Sequence, residues 1–479
     1  MPSETSLCDE SAVALRRLLL AKEISPVELL ASCHARIDAV NPAVNAVVAE
    51  DREAAEAAAR QAEAAILRGE TEPPLLGLPV GIKDLNETAQ LRTTFGSSAF
   101  AEHVPVRDDA LVARIRSAGG IIAAKTNTPE FGAGANTTNA VYGVTANPYD
   151  AALTCGGSSG GSTVALATGM LPLANGSDLG GSLRIPAAYC GVVGYRATAG
   201  VVPMVRKKIG WSPLWTEGPM ARSLDDLLLF LSAIAGEDRR DPLSGPSDGA
   251  GFAGLTAAPL EGIRVAVSED LGGVPVSTPV RRLFQARCRT LAGIVDCTQT
   301  APDLGDVDRC FEVLRAVSFL GDVKDLVARS PDLVGPNVTA NVKLGLTFSA
   351  ADVAEAETAQ TRLYHRFLAF MEDYDLLICP AASVQPFDKT LLFPKEIEGQ
   401  ALATYISWLA ITYALTLSGH PVLVLPCGLD DQGLPFGLQI VGRKGRDRDL
   451  LRLGLALEAA FGRHPDLSRT APDIGRLQI

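Results

Sequence analysis

Three residues of this chain combine a reactive side chain with an unusual neighbourhood. Lys83 ends the run Gly77-Leu-Pro-Val-Gly-Ile-Lys83, which reads as a short buried strand. Ser158 lies within Thr154-Cys-Gly-Gly-Ser-Ser-Gly-Gly-Ser162, and Ser182 within Asn175-Gly-Ser-Asp-Leu-Gly-Gly-Ser-Leu-Arg-Ile-Pro186. Glycine at this density permits close backbone approach. Two hydroxyls in such turns, with a lysine delivered by an apolar strand, meet the needs of acyl transfer. Lysine accepts a proton only when neutral, and Leu78, Val80 and Ile82 supply apolar surroundings that lower its pKa. Asp84 would oppose this if close, but strand alternation directs it to the other face.

Other chemistries fit parts of the pattern. The glycines from Gly156 to Gly161 could cradle phosphate, yet a P-loop needs Lys-Ser/Thr after its last glycine, and Ser162-Thr163 stands there. Gly157-Ser-Ser-Gly-Gly161 satisfies G-x-S-x-G, nominating Ser159 with Asp375 and His420 as later partners. Against this, His420 reads as a buried turn residue within Gly-His-Pro. Cys155 could act as a thiol nucleophile but has no base within its motif.

The complete arrangement resembles the amidase-signature family: Gly-Ile-Lys83-Asp, then Gly-Gly-Ser158-Ser-Gly-Gly, then Asp178-Leu-Gly-Gly-Ser182-Leu-Arg184-Ile-Pro186. The two serines stand 24 positions apart (182 minus 158), the spacing characteristic of that family. Lys125-Thr-Asn-Thr-Pro-Glu-Phe131, Gly218-Pro-Met-Ala-Arg222 and Gly419-His-Pro-Val through Gly437-Leu-Gln-Ile-Val-Gly442 extend the likeness over most of residues 75–225 and 370–445. The resemblance implies that Ser182 is the nucleophile, that Ser158 relays its proton across a cis bond with Gly157, and that Lys83 is the base. It also implies an oxyanion hole from the backbone N–H groups of Leu179, Gly180, Gly181 and Ser182, with Asp178 and Arg184 holding the loop. Cys155 replaces a common proline and Thr416 a frequent asparagine, changes expected to alter the pocket.

Resemblance to this family implies an amidase acting on the C–N bond of carboxylic amides, with aryl amides, esters or carbamates as further substrates. It admits a second reading, the A subunit of a tRNA-dependent amidotransferase, which shares the relay but passes ammonia to a partner protein. There, glutamine precedes the proline and Lys-Pro-Thr follows the glycine, whereas in this chain Ile185 precedes Pro186 and Gly194-Tyr-Arg-Ala-Thr-Ala-Gly200 follows. Walls of the pocket are sought in residues 131–142 and at Trp211, Trp215 and Trp408.

The elements that must position these residues alternate helix and strand. Ser25, Pro26 and Glu28 form a helix start with a capping box, and Asn41-Pro42 predicts its end. A strand is expected over Asn45–Ala49, helices over Arg52–Arg68 and Ala110–Ser117, and strands over Ile121–Ala124 and Leu171–Ala174. These are βαβ-type units, and the fold class is α/β, a central mixed β-sheet surrounded by helices. One domain is expected over 1–479: an N-terminal helical segment (1–70), a catalytic core (71–205), a variable region whose helices cover the site (206–362), and the rest of the core (363–479).

Composition narrows the partners. With 43 Lys plus Arg against 55 Asp plus Glu, the net charge of -12 repels phosphate backbones and anionic lipid, so no nucleic-acid partner is expected. Nine scattered cysteines without a CxxC pair make no disulfide framework or zinc site, and no metal or cofactor is expected. The N-terminus does not read as a signal peptide, so the cytoplasm is the expected location. Tyr405–Pro426 is long enough for a membrane span, but Ser418-Gly-His-Pro421 breaks it into a helix over Tyr405–Leu417 and a strand over Val422–Leu425. The expected partners are a small-molecule amide and water; oligomeric state stays open, a homodimer included.

Overall fold

The short apolar runs between glycine turns become strands of a mixed sheet of eleven. The computed structural model describes residues 6–246, 248–402 and 404–478. In chain order the strands are β1 (Val47–Ala49), β2 (Pro79–Lys83), β3 (Ile121–Thr126), β4 (Leu173–Asp178), β5 (Val193–Arg196), β6 (Thr216–Ala221), β7 (Arg264–Val267), β8 (Asp296–Gln299), β9 (Leu376–Pro380), β10 (Val422–Leu429) and β11 (Pro435–Val441). Across the sheet their order is β1-β3-β2-β4-β6-β5-β10-β11-β9-β7-β8. Strands β3, β2 and β4 run parallel, as do β9, β7 and β8, while the centre between them is antiparallel. Parallel neighbours need a helical crossover, and Ala110–Ser117 supplies the one between β2 and β3.

Local boundaries follow the expected chemistry to within a few residues: the strand expected over Asn45–Ala49 starts at Val47, that expected over Val422–Leu425 runs on to Leu429, and three further differences have a local cause. Ser25 and Glu28 make the capping box, but the helix runs Pro26–Val44, past Pro42. Proline this close to the end removes a single intrahelical bond, and Asn45 at φ +52° is the actual stop. Strand β4 begins two residues later than the apolar run and continues through polar Ser177 and Asp178, so the sheet itself carries them to the site. The segment after Tyr405 starts with a 3₁₀ turn, Ser407–Leu409, before the helix Ala410–Ser418, which Gly419 ends at φ +69°. Among the described residues no helix is long and apolar enough to cross a membrane.

Every residue of β2 and β3 is buried, including Lys83 and Lys125, so this part of the sheet is covered on both faces. Helix Gly160–Ala167, buried along its whole length, packs against β4, which explains the glycines in its first turn. A side chain at Gly161 would meet the Asn127 backbone nitrogen at 2.2 Å, so only a residue without Cβ lets the helix approach β3. The long helix Val307–Arg329 and its partner Pro336–Gly345 come from the region expected to cover the site.

Candidate active site

Strand β2 delivers Lys83 into the protein with no exposed surface. Its backbone N–H donates to Asn175 Oδ1 at 2.8 Å, which fixes the end of the strand against β4. Its ammonium donates to three hydroxyls: Ser158 Oγ at 2.7 Å, Ser159 Oγ at 2.9 Å and Ser177 Oγ at 3.1 Å. Burial draws the Lys83 pKa down to about 7; Glu217 opposes that, Arg206 adds to it, and Asp178 opposes it. A lysine in this state is partly neutral at physiological pH and can accept a proton.

Ser158 follows a cis bond from Gly157, and its hydroxyl stands beside Gly132, where an added Cβ would lie 3.3 Å from Oγ. Ser182 sits in the turn between β4 and the helix Arg184–Cys190, its carbonyl accepting from the Ser159 N–H at 3.3 Å. Both serines line one cavity of about 430 Å³, together with Ser177, Leu179, Gly180 and Gly181. Strand β2, the Gly157 turn and the loop that follows β4 after Asp178 therefore bring Lys83, Ser158 and Ser182 to one place.

Asp178 anchors that loop. Its carboxylate accepts from Arg184 Nε and Nη2, both at 3.0 Å, from the Gly181 N–H at 2.9 Å and from the Leu183 N–H at 3.1 Å. Burial alone would raise the Asp178 pKa, but Arg184 and Arg196 outweigh it and hold the carboxyl well below the usual range. Arg184 also donates to the Thr412 carbonyl, Gln439 and Thr416, tying the loop to the helix Ala410–Ser418 and to β11. Asp178 thereby takes the Gly181 N–H, one of the four amides expected to face an oxyanion, into the structure of the loop. The structure corrects the expectation that Thr416 and Cys155 alter the pocket. Thr416 supports Arg184 instead, and Cys155 is packed beneath Gly160 with its thiol pushed up to about 12 by burial.

The G-x-S-x-G alternative does not assemble. Ser159 Oγ is engaged with Lys83 and Ser177, Asp375 pairs with Arg264 and Arg443, and the His420 ring is bonded to Ser418 and packed on Phe367. Burial draws His420 down to about 4. Asp84 faces Lys125 at 3.8 Å and accepts from Thr94. Among the described residues no group of three or more His, Cys, Asp or Glu side chains could hold a metal ion.

The cavity walls combine aromatic and charged side chains. Phe95, Phe100 and Phe131 pack on one another with centroids 5.2 to 6.1 Å apart. Phe311, Phe319, Trp215 and Tyr405 also line it, with the Arg206 guanidinium 4.2 Å above the Trp215 ring. Of the expected wall residues, Phe131, Gly132, Gly134, Ala135 and Trp215 line the cavity. Trp211 is 77% exposed, and Trp408 is a core residue against Phe387. Sequence reasoning missed Arg196, which donates to the Asp178 carbonyl at 2.6 Å, and it missed Phe311, Arg315 and Tyr405. Only the position of Arg196, on the strand after the Ser182 turn, offered a clue.

A buried Lys–Ser pair beside a second serine, on a mixed sheet covered by helices, defines a class, and the chain belongs to the amidase family, whose model matches residues 28–451. It is 33% identical to an acylamidase of Rhodococcus erythropolis over 94% of this chain and 95% of that protein. It is also 33% identical to the A subunit of the glutamyl-tRNA(Gln) amidotransferase of Picosynechococcus sp., over 94% of this chain and 98% of that one. Among solved structures, a bacterial aryl acylamidase of the amidase-signature family matches with a TM-score of 0.86 and 26% identity, covering 95% of this chain and 96% of that one.

Proposed function

We propose that this protein hydrolyses the C–N bond of carboxylic amides through an acyl-enzyme on Ser182. The observation that carries the reading is the 2.7 Å bond from buried Lys83, with its pKa near 7, to a serine that shares a cavity with Ser182. Ser182 Oγ attacks the substrate carbonyl and gives its proton to Ser158, whose own proton passes to neutral Lys83. Substrate binding completes the step from Ser182 to Ser158, since catalytic hydrogen bonds tighten in the Michaelis complex. The N–H groups of Leu179, Gly180 and Ser182 receive the oxyanion, each such donor being worth about 3 kcal/mol. Return of the proton through Ser158 releases the amine, and water repeats the cycle on the ester.

The aromatic residues that share the cavity with the serines support amides with aryl or extended apolar groups, in keeping with the acylamidase and aryl acylamidase relatives. A turnover panel of anilides, aliphatic amides, esters and carbamates, run beside Ser182→Ala, tests the reading. Anilide cleavage by wild type and none by the folded variant is expected; equal activity in both overturns it.

The likeness to the amidotransferase protein favours a second reading, a glutaminase that hands ammonia to a partner. Ile185 and the Tyr-Arg-Ala-Thr run after Gly194 oppose it, as does the aromatic lining. Recovery of a stoichiometric partner, with glutaminase activity only in the complex, would reverse the ranking. Residues 1–479 are taken as one working domain without metal or nucleic acid, and the nine free cysteines suit a reducing cytoplasm.

A further inference from the structure

The helix Val307–Arg329 lays one face along the cavity, presenting Phe311, Arg315, Ser318, Phe319, Asp322 and Val323 to it. Phe311 fixes where this face meets the oxyanion loop, because a Cβ at Gly180 would lie 2.8 Å from Phe311 Cζ. Arg315 follows four residues later, about 6 Å along the axis at 1.5 Å per residue.

Arg315 is only 5% exposed, and among the described residues its hydrogen-bond partners are neutral: the amide oxygen of Asn341 and the hydroxyl of Tyr405. Its guanidinium lies over the Phe319 and Tyr405 rings at 4.7 and 4.8 Å. The other cations of the cavity are differently placed. Arg206 pairs with Glu217 at 2.6 Å and with Asp109 at 3.4 Å, and Lys208 donates to the Asp322 carbonyl at 2.6 Å. Asp322, the acid on the same helix face, lies seven residues beyond Arg315, about 10 Å along the axis. A buried guanidinium without a carboxylate is costly unless an anion completes it, and its planar fork suits a carboxylate bidentately.

We propose that Arg315 receives a carboxylate of the substrate, so that the favoured amides carry a negative charge on the arm lying along this helix. That arm is roughly four to six bonds from the carbonyl under attack, one helical turn beyond the oxyanion loop. Asn341 and Tyr405 hold the guanidinium in place, and the two rings cover the methylenes of the arm. The proposal rests on the amide-hydrolase reading for its substrate class.

Matched pairs test it. Glutaryl 4-nitroanilide is compared with its isostere 5-methylhexanoyl 4-nitroanilide, and 4-acetamidobenzoate with 4-isopropylacetanilide, in the wild type, R315M and R315K. In at least one pair the wild type should favour the carboxylate. R315M should lower kcat/KM for that substrate roughly 30-fold, the effect of leaving a buried charge unpaired, while the neutral isostere changes less than about two-fold. R315K should restore part of the preference, since it keeps the charge without the fork. Equal or better turnover of both neutral isosteres by the wild type, or equal losses on both members of a pair in folded R315M, overturns the proposal. Calorimetry of glutaramate binding to Ser182→Ala, with and without R315M, reads the same contact without turnover. Weaker binding on loss of Arg315 is expected and unchanged binding refutes it, so a failure of the amidase reading shows separately as cleavage of neither pair.

Discussion

Lys83 and Asp84 are neighbours in the chain, yet they serve different charges: Lys83 reaches Ser158 at 2.7 Å, while Asp84 turns to Lys125 at 3.8 Å. Had both pointed the same way, the carboxylate would have held Lys83 protonated and ended its use as a base.

The separation makes the acidic limb of the pH profile a direct readout of Lys83. Its folded pKa lies near 7, and only the neutral form accepts a proton, so kcat/KM should rise with pH through a midpoint near 7. Glu217 raises that value through its negative charge. Glu217→Gln should therefore move the midpoint to lower pH, and an unmoved midpoint would separate the limb from Lys83.

Removal of the proposed nucleophile should be the most severe single change. Ser182→Ala is expected to lower amide turnover by about 10⁴-fold or more. Ser158→Ala and Lys83→Ala should lower it by about 10²- to 10⁴-fold with the fold intact. Steady-state rates with circular dichroism on each variant, and mass spectrometry for an ester adduct on Ser182, check this.

A methyl group on the loop after Asp178 should be felt through the covering helix. Gly180→Ala brings its Cβ to 2.8 Å from the Phe311 ring, so kcat is expected to fall by about ten-fold or more. Phe311→Leu in the same chain should recover part of the loss. A double-mutant cycle with no coupling between the two positions would refute the contact.

Asp178 should matter more for folding than for chemistry. Asp178→Ala leaves two buried guanidiniums without their anion and is expected to destabilise the protein by about 3–5 kcal/mol, read as a lowered thermal midpoint. Because the folded pKa is depressed, the stabilisation by this carboxylate is complete above its unfolded value of about 3.9 and is lost as pH falls below it toward the folded value. The variant should therefore show a shallower loss of stability on acidification than the wild type.

Residues whose spacing is local were legible before the structure: the capping box at Ser25, the strand that carries Lys83 and the glycine turns around Ser158 and Ser182. What escaped was set by distance along the chain. Arg196 completes the Asp178 cluster because β5 lies one strand from β6, which flanks β4, a relation no spacing encodes. Phe311 and Arg315 show helical periodicity, which marks a face without saying what it faces. Trp408 illustrates the same limit, since a large aromatic reads alike whether it fills a core or walls a pocket.

Because the helix Val307–Arg329 lends one face to the lining while the proposed reacting groups come from residues before 183, the two jobs are written in separate stretches of the gene. Changes at 315 and 319 can retune what is admitted without touching Lys83, Ser158 or Ser182. Diversification of diet in such a scaffold can proceed by redrafting one helix.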